Sequence, residues 1–298
     1  NQNWFTKMAL KVLLALLLFV QVLVAEENPI PLWSDLAPGE TSASTGEEMP
    51  LRPNELPPIT RLVNIRKPTM QFYRADGKPN GTAVVILPGG GFGKVVPDLE
   101  GSEAAERLNK LGITAFVVNY RTNEAMPKEE PNWKRPLQDA QRAMRLVRAN
   151  AEAWNIDPNR VGVLAFSAGG QVGAMLITAE ESHYEPKDET DKLSFRPDFA
   201  MLIYPWQVLQ PGTEELLAQI KVTKETPPTF LVHTHDDNSS SIGALEIYAA
   251  MKRNKVPAEL HVYENGGHGY GIRPRPNSNI GTWIDRAEDW LRIRKLSK

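Results

Sequence analysis

The sequence predicts an α/β protein with a mostly parallel sheet, helices on both faces and no large cap domain. From residue 80 onward, short apolar runs alternate with segments whose apolar residues recur every three or four positions. The runs Ala83–Leu87 and Val161–Phe166 contain no polar side chain, as expected for strands that are buried on both faces. Strands that alternate with helices favour a parallel sheet with right-handed crossovers, in which active sites lie at the carboxyl ends of the strands.

The individual elements follow from the same patterns. Strands are predicted at Leu62–Ile65, Met70–Tyr73, Ala83–Leu87, Ile113–Val118, Val161–Phe166, Phe199–Ile203, Thr229–His233 and Ala258–Tyr263. Helices are predicted at Gly101–Leu111, Ala168–Thr178, Ile242–Asn254 and Thr282–Leu296. A further long helix is indicated by one apolar face, formed by Leu137, Ala140, Met144, Val147, Ala151 and Trp154. Near the start of this helix, Arg135 and Asp139 are expected to have structural roles.

The composition excludes several classes of function. The chain has 298 residues, of which 41% are hydrophobic and 23% are charged, as in ordinary globular proteins. Its formal net charge of −2 lacks the basic excess that nucleic-acid binding needs. Because the sequence has no cysteine, disulfides, thiolate metal sites and a cysteine nucleophile are excluded from this chain. No feature of the sequence indicates an oligomeric state.

The amino-terminal residues have the pattern of a secretory signal peptide. Lys7 and Lys11 precede a run over residues 12–24 that is apolar except for Gln21, and Ala25 separates that run from two glutamates. We expect cleavage after Ala25, export to the periplasm or beyond the cell, and no membrane span in the mature chain. An uncleaved anchor helix is the alternative, although spanning normally takes about 20 apolar residues. Residues 26–59 are rich in proline and are expected to be extended, and residues 60–298 are expected to form the catalytic domain.

A serine directly follows the predicted strand Val161–Phe166. Ser167 leads through Ala168-Gly169-Gly170 into the next helix, so its hydroxyl is expected at a sharp, exposed strand-to-helix turn. The usual pattern at such a turn is Gly-x-Ser-x-Gly, and here Ala165 replaces the first glycine. We expect the turn to open slightly around the additional methyl group. A helix N-cap serine with no catalytic role is the alternative.

A serine nucleophile needs a base and an acid, and candidates for both follow later strands. His268 lies in Asn265-Gly-Gly-His-Gly269, where glycines allow the loop to approach another loop closely. Asp236 and Asp237 both follow the strand Thr229–His233. Asp237 is favoured as the acid that orients the imidazole, while Asp236 either takes that role or caps the next helix.

A glycine-rich segment, Pro88-Gly89-Gly90-Gly91-Phe92, follows the first buried strand. Its amides are free to point inward and stabilise an oxyanion, and the amide of Ala168 completes the set of donors. A phosphate-binding loop is excluded because Pro88 and Val95 occupy positions at which the Walker pattern requires glycine and serine or threonine.

Zinc binding is the alternative interpretation of the segment after Thr229. His233 and His235 with Asp236 could share a zinc ion, but no motif for a third separate ligand is present. The sequence therefore predicts neither a metal nor a cofactor.

Together these motifs resemble the α/β-hydrolase superfamily over about residues 60–298. Within it, the chain is similar to bacterial carbohydrate esterases of the acetyl-xylan-esterase-like and feruloyl-esterase-like branch. This similarity rests on Leu32-Trp33, Ala37-Pro-Gly39, Leu87–Phe92, Arg135–Ala140, Phe166–Gly170 and Asn265–Gly269. The resemblance implies Ser167 as nucleophile, Asp237 as acid and His268 as base, with Gly90, Gly91 and Ala168 as oxyanion donors.

The function predicted from these residues is a secreted serine esterase. Its expected substrate is an acetyl or other small acyl ester, free or on a carbohydrate such as acetylated xylan. Trp206 follows a strand at the active-site edge, where it either lines the substrate pocket or packs in the core. The alternatives are a serine peptidase of the prolyl-oligopeptidase type, which usually has a large propeller domain, and a non-catalytic binding protein, which usually lacks a triad residue.

Overall fold

The computed structural model describes residues 28–124 and 126–297. The strands in these residues are β1 (Ile30–Pro31), β2 (Thr45–Glu48), β3 (Leu62–Ile65), β4 (Thr69–Tyr73), β5 (Ala83–Leu87), β6 (Thr114–Asn119), β7 (Val161–Phe166), β8 (Ala200–Ile203), β9 (Thr229–Thr234) and β10 (Ala258–Tyr263). The α-helices are α1 (Glu103–Asn109), α2 (Lys134–Ala149), α3 (Ser167–Thr178), α4 (Ile242–Arg253) and α5 (Trp283–Ile293). A π-helical turn occupies Asp98–Ser102, and short 3₁₀ turns occupy Glu189–Lys192 and Ile280–Thr282.

Eight strands form one sheet in the order β1-β4-β6-β5-β7-β8-β9-β10. The pairs β1–β4 and β4–β6 are antiparallel. All pairs from β6 to β10 are parallel. The predicted α/β architecture with a mostly parallel sheet is therefore confirmed, and each sheet strand predicted from the sequence lies within one residue of its predicted bounds.

The sheet is buried because helices cover both of its faces. Every residue of β5 is buried, and successive side chains point to opposite sides. Ala83, Val85 and Leu87 belong to the core cluster that contains residues of α2, α3 and α4. Val84 and Ile86 belong to the cluster formed with α1 and α5. This two-sided burial explains why the sequence of β5 is continuously apolar.

Two predicted helices differ from the observed ones. The helix predicted over Gly101–Leu111 starts as the π-helical turn Asp98–Ser102, and regular α-helix begins only at Glu103. Within that turn the backbone of Glu100 leaves helical geometry, with φ −113° and ψ 22°. The long helix α2 ends at Ala149, so Trp154 lies beyond it. Trp154 still faces the core, with its ring centroid 4.9 Å from that of Phe116, which preserves the apolar periodicity after the helix has ended.

The amino-terminal part of the described chain contributes two short strands. β1 forms one edge of the large sheet and pairs with β4, and β2 pairs with β3 in a separate two-stranded sheet. The predicted signal peptide at residues 1–25 lies outside the described residues. In the part that the structure describes, no helix is long and apolar enough to cross a membrane.

A buried ion pair ties the amino-terminal segment to the sheet. Asp139 on α2 accepts hydrogen bonds from the backbone N and the Nε of Arg121, both at 2.9 Å. Its carboxylate also accepts one from Nε1 of Trp33 at 2.9 Å. Arg121 Nη1 donates to the carbonyl oxygen of Pro38 at 2.6 Å. Both charged side chains are fully buried, and these bonds compensate for their lost hydration. Asp139 therefore has a structural role, as the sequence indicated.

Removing Asp139 tests this role. Asp139→Ala removes the carboxylate that binds the guanidinium of Arg121 directly and leaves only Glu40, 3.8 Å from Nη1, as a counter-charge. We therefore expect the free energy of unfolding to fall by about 3–5 kcal/mol. The measurement is denaturation by guanidinium chloride. Asp289→Ala is the control, because Asp289 pairs with Arg292 at an exposed site, and its loss should cost less than about 1 kcal/mol. Equal effects of the two substitutions would contradict the assignment.

Candidate active site

Ser167 lies at the turn from β7 into α3 with a positive φ of 52°. A non-glycine residue in this region is strained, and such strain persists only where the surroundings enforce it. Here the enforcing contact is a close approach between two backbone segments. A Cβ on Gly169 would lie 2.2 Å from the carbonyl oxygen of Leu87 and 2.5 Å from that of Pro88. The glycine at position 169 thus lets the start of α3 press against the end of β5.

The methyl group of Ala165 finds its space in α3. A Cβ on Gly173 would lie 2.7 Å from the Cβ of Ala165, so glycine at position 173 leaves room for this side chain. Alanine therefore replaces the usual first glycine of the turn, and Gly173, one and a half turns into the helix, compensates for its larger side chain. The glycine at position 173 thus accommodates the departure from Gly-x-Ser-x-Gly at position 165.

The three residues predicted as nucleophile, base and acid form one hydrogen-bonded chain. Ser167 Oγ lies 2.7 Å from His268 Nε2, and His268 Nδ1 lies 2.6 Å from Asp237 Oδ2. The other oxygen of Asp237 accepts a hydrogen bond from the backbone N of Ser239 at 2.7 Å. The Asp237 side chain is fully buried, while a third of the His268 side chain is exposed. This arrangement places a proton acceptor at the serine and a fixed carboxylate behind it.

Asp236 and Asp237 have different partners although they are adjacent. The carboxylate of Asp236 accepts hydrogen bonds from the backbone N of Gly267 at 2.9 Å and of Gly266 at 3.2 Å. These bonds lower the pKa of Asp236. Asp236 therefore supports the loop that carries His268, whereas Asp237 contacts the imidazole itself. The suggested role of Asp236 as a helix cap is wrong, because its acceptors are used by the histidine loop.

His233 and His235 differ in their surroundings. His233 is completely buried, and burial lowers its pKa. Its Nδ1 accepts a hydrogen bond from the backbone N of Thr234 at 3.0 Å, whereas His235 is exposed. Within residues 28–124 and 126–297, no three histidine, aspartate or glutamate side chains are grouped closely enough to hold a metal ion.

The glycine loop after β5 lies beside Ser167. Gly90 has φ 135° and Gly91 has φ 66°, and a Cβ on Gly90 would lie 2.1 Å from the carbonyl oxygen of Lys94. The backbone N–H groups of Gly90 and Gly91 have no acceptor in the described part of the chain. Ala168 is buried in the first turn of α3, where backbone N–H groups have no intrahelical acceptor. The three amides predicted as oxyanion donors are thus near the serine and available to a ligand.

Ser167 and His268 open into a cleft of about 770 Å³. Gly90, Gly91 and Trp206 line it, and residues of the 52–61 segment form a further wall. Trp206 is half-buried, its ring centroid lies 6.2 Å from that of Phe92, and its backbone N donates to the carbonyl oxygen of Ser167 at 3.0 Å. The structure therefore places Trp206 in the cleft wall.

A buried carboxyl group that the sequence analysis did not single out lies next to these residues. Glu100 is 3% exposed. Its Oε2 accepts a hydrogen bond from the backbone N of Gly89 at 2.9 Å, and its Oε1 accepts one from the hydroxyl of Tyr204 at 2.8 Å. Burial raises the pKa of Glu100. The only sequence signal was a glutamate in a helix-like segment, where acidic side chains usually face solvent.

Through Tyr204, Glu100 also contacts the histidine loop indirectly. The ring of Tyr204 packs edge-on against the imidazole of His268, with centroids 4.9 Å apart. Its hydroxyl oxygen accepts a hydrogen bond from the backbone N of Gly271 at 2.9 Å. Glu100 and Tyr204 therefore connect the glycine loop to the loop that carries His268.

Comparisons with known proteins find similar families and a similar crystal structure. The BD-FAE family model matches residues 70–200, and the prolyl oligopeptidase family model matches residues 190–294. An acetyl ester-xyloside bifunctional hydrolase from Caldicellulosiruptor lactoaceticus has a similar crystal structure, with a TM-score of 0.70 and 30% identity. That match covers 91% of this chain and 97% of the crystallised one.

Two curated relatives are similar in sequence. An acetylxylan esterase of Xylanibacter ruminicola is 32% identical over 72% of this chain and 44% of its own length. An endo-1,4-beta-xylanase B of Butyrivibrio fibrisolvens is 29% identical over 69% of this chain and 35% of its own length. The chain thus spans less than half the length of either curated relative.

The raised pKa of Glu100 predicts a pH-dependent contribution to stability. Since the folded state favours the protonated carboxyl, its contribution is fully present below the unfolded-state pKa and is lost as the pH rises through the folded-state pKa. The difference in unfolding free energy, wild type minus Glu100→Gln, should therefore fall as the pH increases from about 4 to about 8. Denaturation at a series of pH values measures it.

The control for this measurement is Glu106→Gln, which removes an exposed carboxylate from the same helical region. A difference between wild type and Glu100→Gln that rises with pH, or stays constant, would contradict the burial argument.

Proposed function

We propose that this chain, which belongs to the α/β-hydrolase superfamily, is a serine esterase that removes acetyl groups from carbohydrate such as acetylated xylan. The observation that carries the proposal is the hydrogen-bonded chain from Ser167 through His268 to Asp237, which opens into a cleft. The substrate class is supported by the relatives, which include an acetylxylan esterase and an acetyl ester-xyloside bifunctional hydrolase.

In the proposed reaction, His268 Nε2 accepts the hydroxyl proton of Ser167 as Oγ attacks the ester carbonyl carbon. Asp237 stabilises the resulting imidazolium through Nδ1. The negative charge that develops on the carbonyl oxygen is stabilised by the backbone amides of Gly90, Gly91 and Ala168. Because these donors are part of a rigid backbone, they need little reorganisation as the charge forms.

Collapse of the tetrahedral intermediate breaks the bond between the acyl carbon and the sugar oxygen. The imidazolium of His268 gives its proton to the departing alkoxide, and the acetyl group stays on Ser167 as an ester. Water then loses a proton to His268 as it attacks this ester, and the same donors stabilise the second intermediate. Its collapse returns the proton to Ser167 and releases acetate.

Peptidase activity is the second candidate, because residues 190–294 match the prolyl oligopeptidase family. The same three residues would serve either reaction, so substrate assays must separate them. Turnover of a prolyl peptide amide without turnover of acetyl esters would favour the peptidase.

We also propose that the chain is exported, on the basis of the basic, apolar and small-residue pattern of residues 1–25. Expression of the complete sequence in a bacterial host followed by fractionation tests this proposal. Recovery from the periplasm or medium with an amino terminus at Glu26 would support it, and retention of residues 1–25 in the cytoplasm would contradict it.

Ser167→Ala and His268→Ala test the chemical roles. Each should reduce kcat for acetate release from acetylated xylan, and from 4-nitrophenyl acetate, by about 10³-fold or more, because the residues act as one unit. Circular dichroism checks that both variants are folded. Turnover of folded Ser167→Ala close to wild type would overturn the mechanism.

The two adjacent aspartates provide a matched pair of variants. Asp237→Asn should lower kcat by about 10³–10⁴-fold, because an amide cannot stabilise the imidazolium as the carboxylate does. Asp236→Asn should lower kcat less than about tenfold, since it weakens only the support of the histidine loop. Steady-state kinetics with 4-nitrophenyl acetate measure both. If kcat falls more in Asp236→Asn than in Asp237→Asn, Asp236 is the acid that orients His268 and Asp237 has the supporting role.

A further inference from the structure

The cleft around Ser167 has an excess of positive charge. Five cationic side chains line it, namely Arg52, Arg61, Lys94, Arg273 and Arg275. Two acidic side chains, Glu55 and Glu100, line it as well. Glu100 is buried and bonded to Gly89 and Tyr204, so it does little to neutralise the open part of the cleft. The chain as a whole has a net charge of −2, and this positive region is therefore local.

Three of these cations have structural partners. Arg61 donates to both oxygens of Glu55, at 2.8 and 2.6 Å, and Arg52 lies 3.5 Å from the same carboxylate. Arg273 pairs with Glu103 and donates to the carbonyl oxygens of residues 57 and 58, at 2.9 and 3.3 Å. These arginines hold the 52–61 segment in place as a wall of the cleft.

Lys94 and Arg275 are different. In residues 28–124 and 126–297, no ion pair with a carboxylate is found for either side chain. Arg275 Nη2 donates to the carbonyl oxygens of Gly269 at 3.0 Å and of His268 at 3.4 Å, which keeps the guanidinium beside the histidine loop. Lys94 lies on the same loop after β5 as the glycine segment, two residues beyond Phe92, and a Cβ on Gly90 would lie 3.0 Å from the Cγ of Lys94. One cation thus lies on each of the two loops that meet at Ser167.

We infer that the cleft recognises acetylated carbohydrate that carries uronic acid carboxylates, and that Lys94 and Arg275 bind these carboxylates. This inference rests on the proposed esterase function and adds a substrate class to it. Arg275 is exposed, Lys94 is half-buried and both line the cleft, so both are accessible to the sugar part of a bound ester. A guanidinium offers paired donors that match a carboxylate, and an ammonium adds a second positive charge.

Charge at this position also affects encounter with a polymer. Cations at the mouth of a cleft raise the local concentration of a polyanionic substrate, and this effect weakens as salt screens it. A neutral glycan would offer neither side chain a counter-charge. The arrangement therefore favours acidic over neutral chains that carry the same acetyl group.

The test compares two acetylated xylo-oligosaccharides that differ only in a glucuronic acid branch, with 4-nitrophenyl acetate as a neutral ester. Wild type at low ionic strength should show a kcat/KM ratio, acidic over neutral oligosaccharide, of about ten, which falls as salt is added. Lys94→Met and Arg275→Gln should each lower the ratio about threefold, and the double variant should bring it close to one. Lys224→Met is the control, because Lys224 precedes the amino end of β9 and does not line the cleft, so this variant should keep the wild-type ratio.

The outcomes separate this inference from the esterase proposal. If wild type hydrolyses none of the three esters, the proposed function is wrong, and the inference that rests on it is wrong as well. Hydrolysis of all three with an acidic-to-neutral ratio near one, or a double variant that keeps the wild-type ratio, would overturn the inference alone. A preference for 4-nitrophenyl hydrogen succinate over 4-nitrophenyl acetate, without a preference for the acidic oligosaccharide, would place the carboxylate on the acyl side and would also overturn it.

Discussion

The close approach of α3 to the end of β5 is the constraint on which the rest of the site depends. A Cβ on residue 169 would lie only 2.2 Å from the carbonyl oxygen of Leu87, so the two segments fit together because residue 169 is glycine. This approach places Ser167 directly beside the glycine loop that continues from β5. It also requires the positive φ of Ser167, and β7, whose residues are all buried, anchors the strained turn in the sheet. The positions of the nucleophile and of the oxyanion donors are therefore consequences of one packing contact.

A second close approach adds the histidine loop to this unit. A Cβ on Gly89 would lie 2.6 Å from the Cβ of Ser167 and 2.5 Å from Oε2 of Glu100, so residue 89 fits between the serine and the buried carboxyl only as glycine. Glu100 is bonded to the hydroxyl of Tyr204, which in turn contacts His268 and the backbone N of Gly271. A displacement of Glu100 would therefore shift both the glycine loop and the imidazole of His268. Such rigid support gives a site fixed donor geometry before a substrate arrives.

The strands were predictable because their signal is local. A strand covered on both faces must be apolar at every position, and the functional loops follow where these runs end. This reasoning was sufficient to bring Ser167 and His268 to one edge of the sheet. The sequence favoured Asp237 over Asp236, and the structure shows that the Asp237 carboxylate contacts the imidazole. The sequence alone could not establish this contact, since adjacent residues differ only in the direction of their side chains.

Other parts of the molecule could not be predicted, because they depend on contacts distant in sequence. Glu100 precedes the helix predicted at Gly101–Leu111, and it is buried within a π-helical turn that no residue pattern signals. The end of α2 was missed because Trp154 packs against the core in a turn, as it would on a longer helix. The structural role of Arg121 could not be predicted, since its partners are Asp139 in α2 and the carbonyl oxygen of Pro38 in the amino-terminal segment.

The amino-terminal segment links stability to the shape of the cleft. Its first part is held by the buried pair of Arg121 and Asp139, and its later part is held by Arg273, which pairs with Glu103. In both anchors the arginine, Arg121 or Arg273, is bonded to other residues of the protein. These arginines therefore fix the position of the segment that forms a wall of the cleft and do not offer their charge to a ligand. The charge that a substrate can meet is then limited to cations without such partners. In this molecule, therefore, the pairing of each cation, more than the number of cations, determines what the cleft presents to an ester.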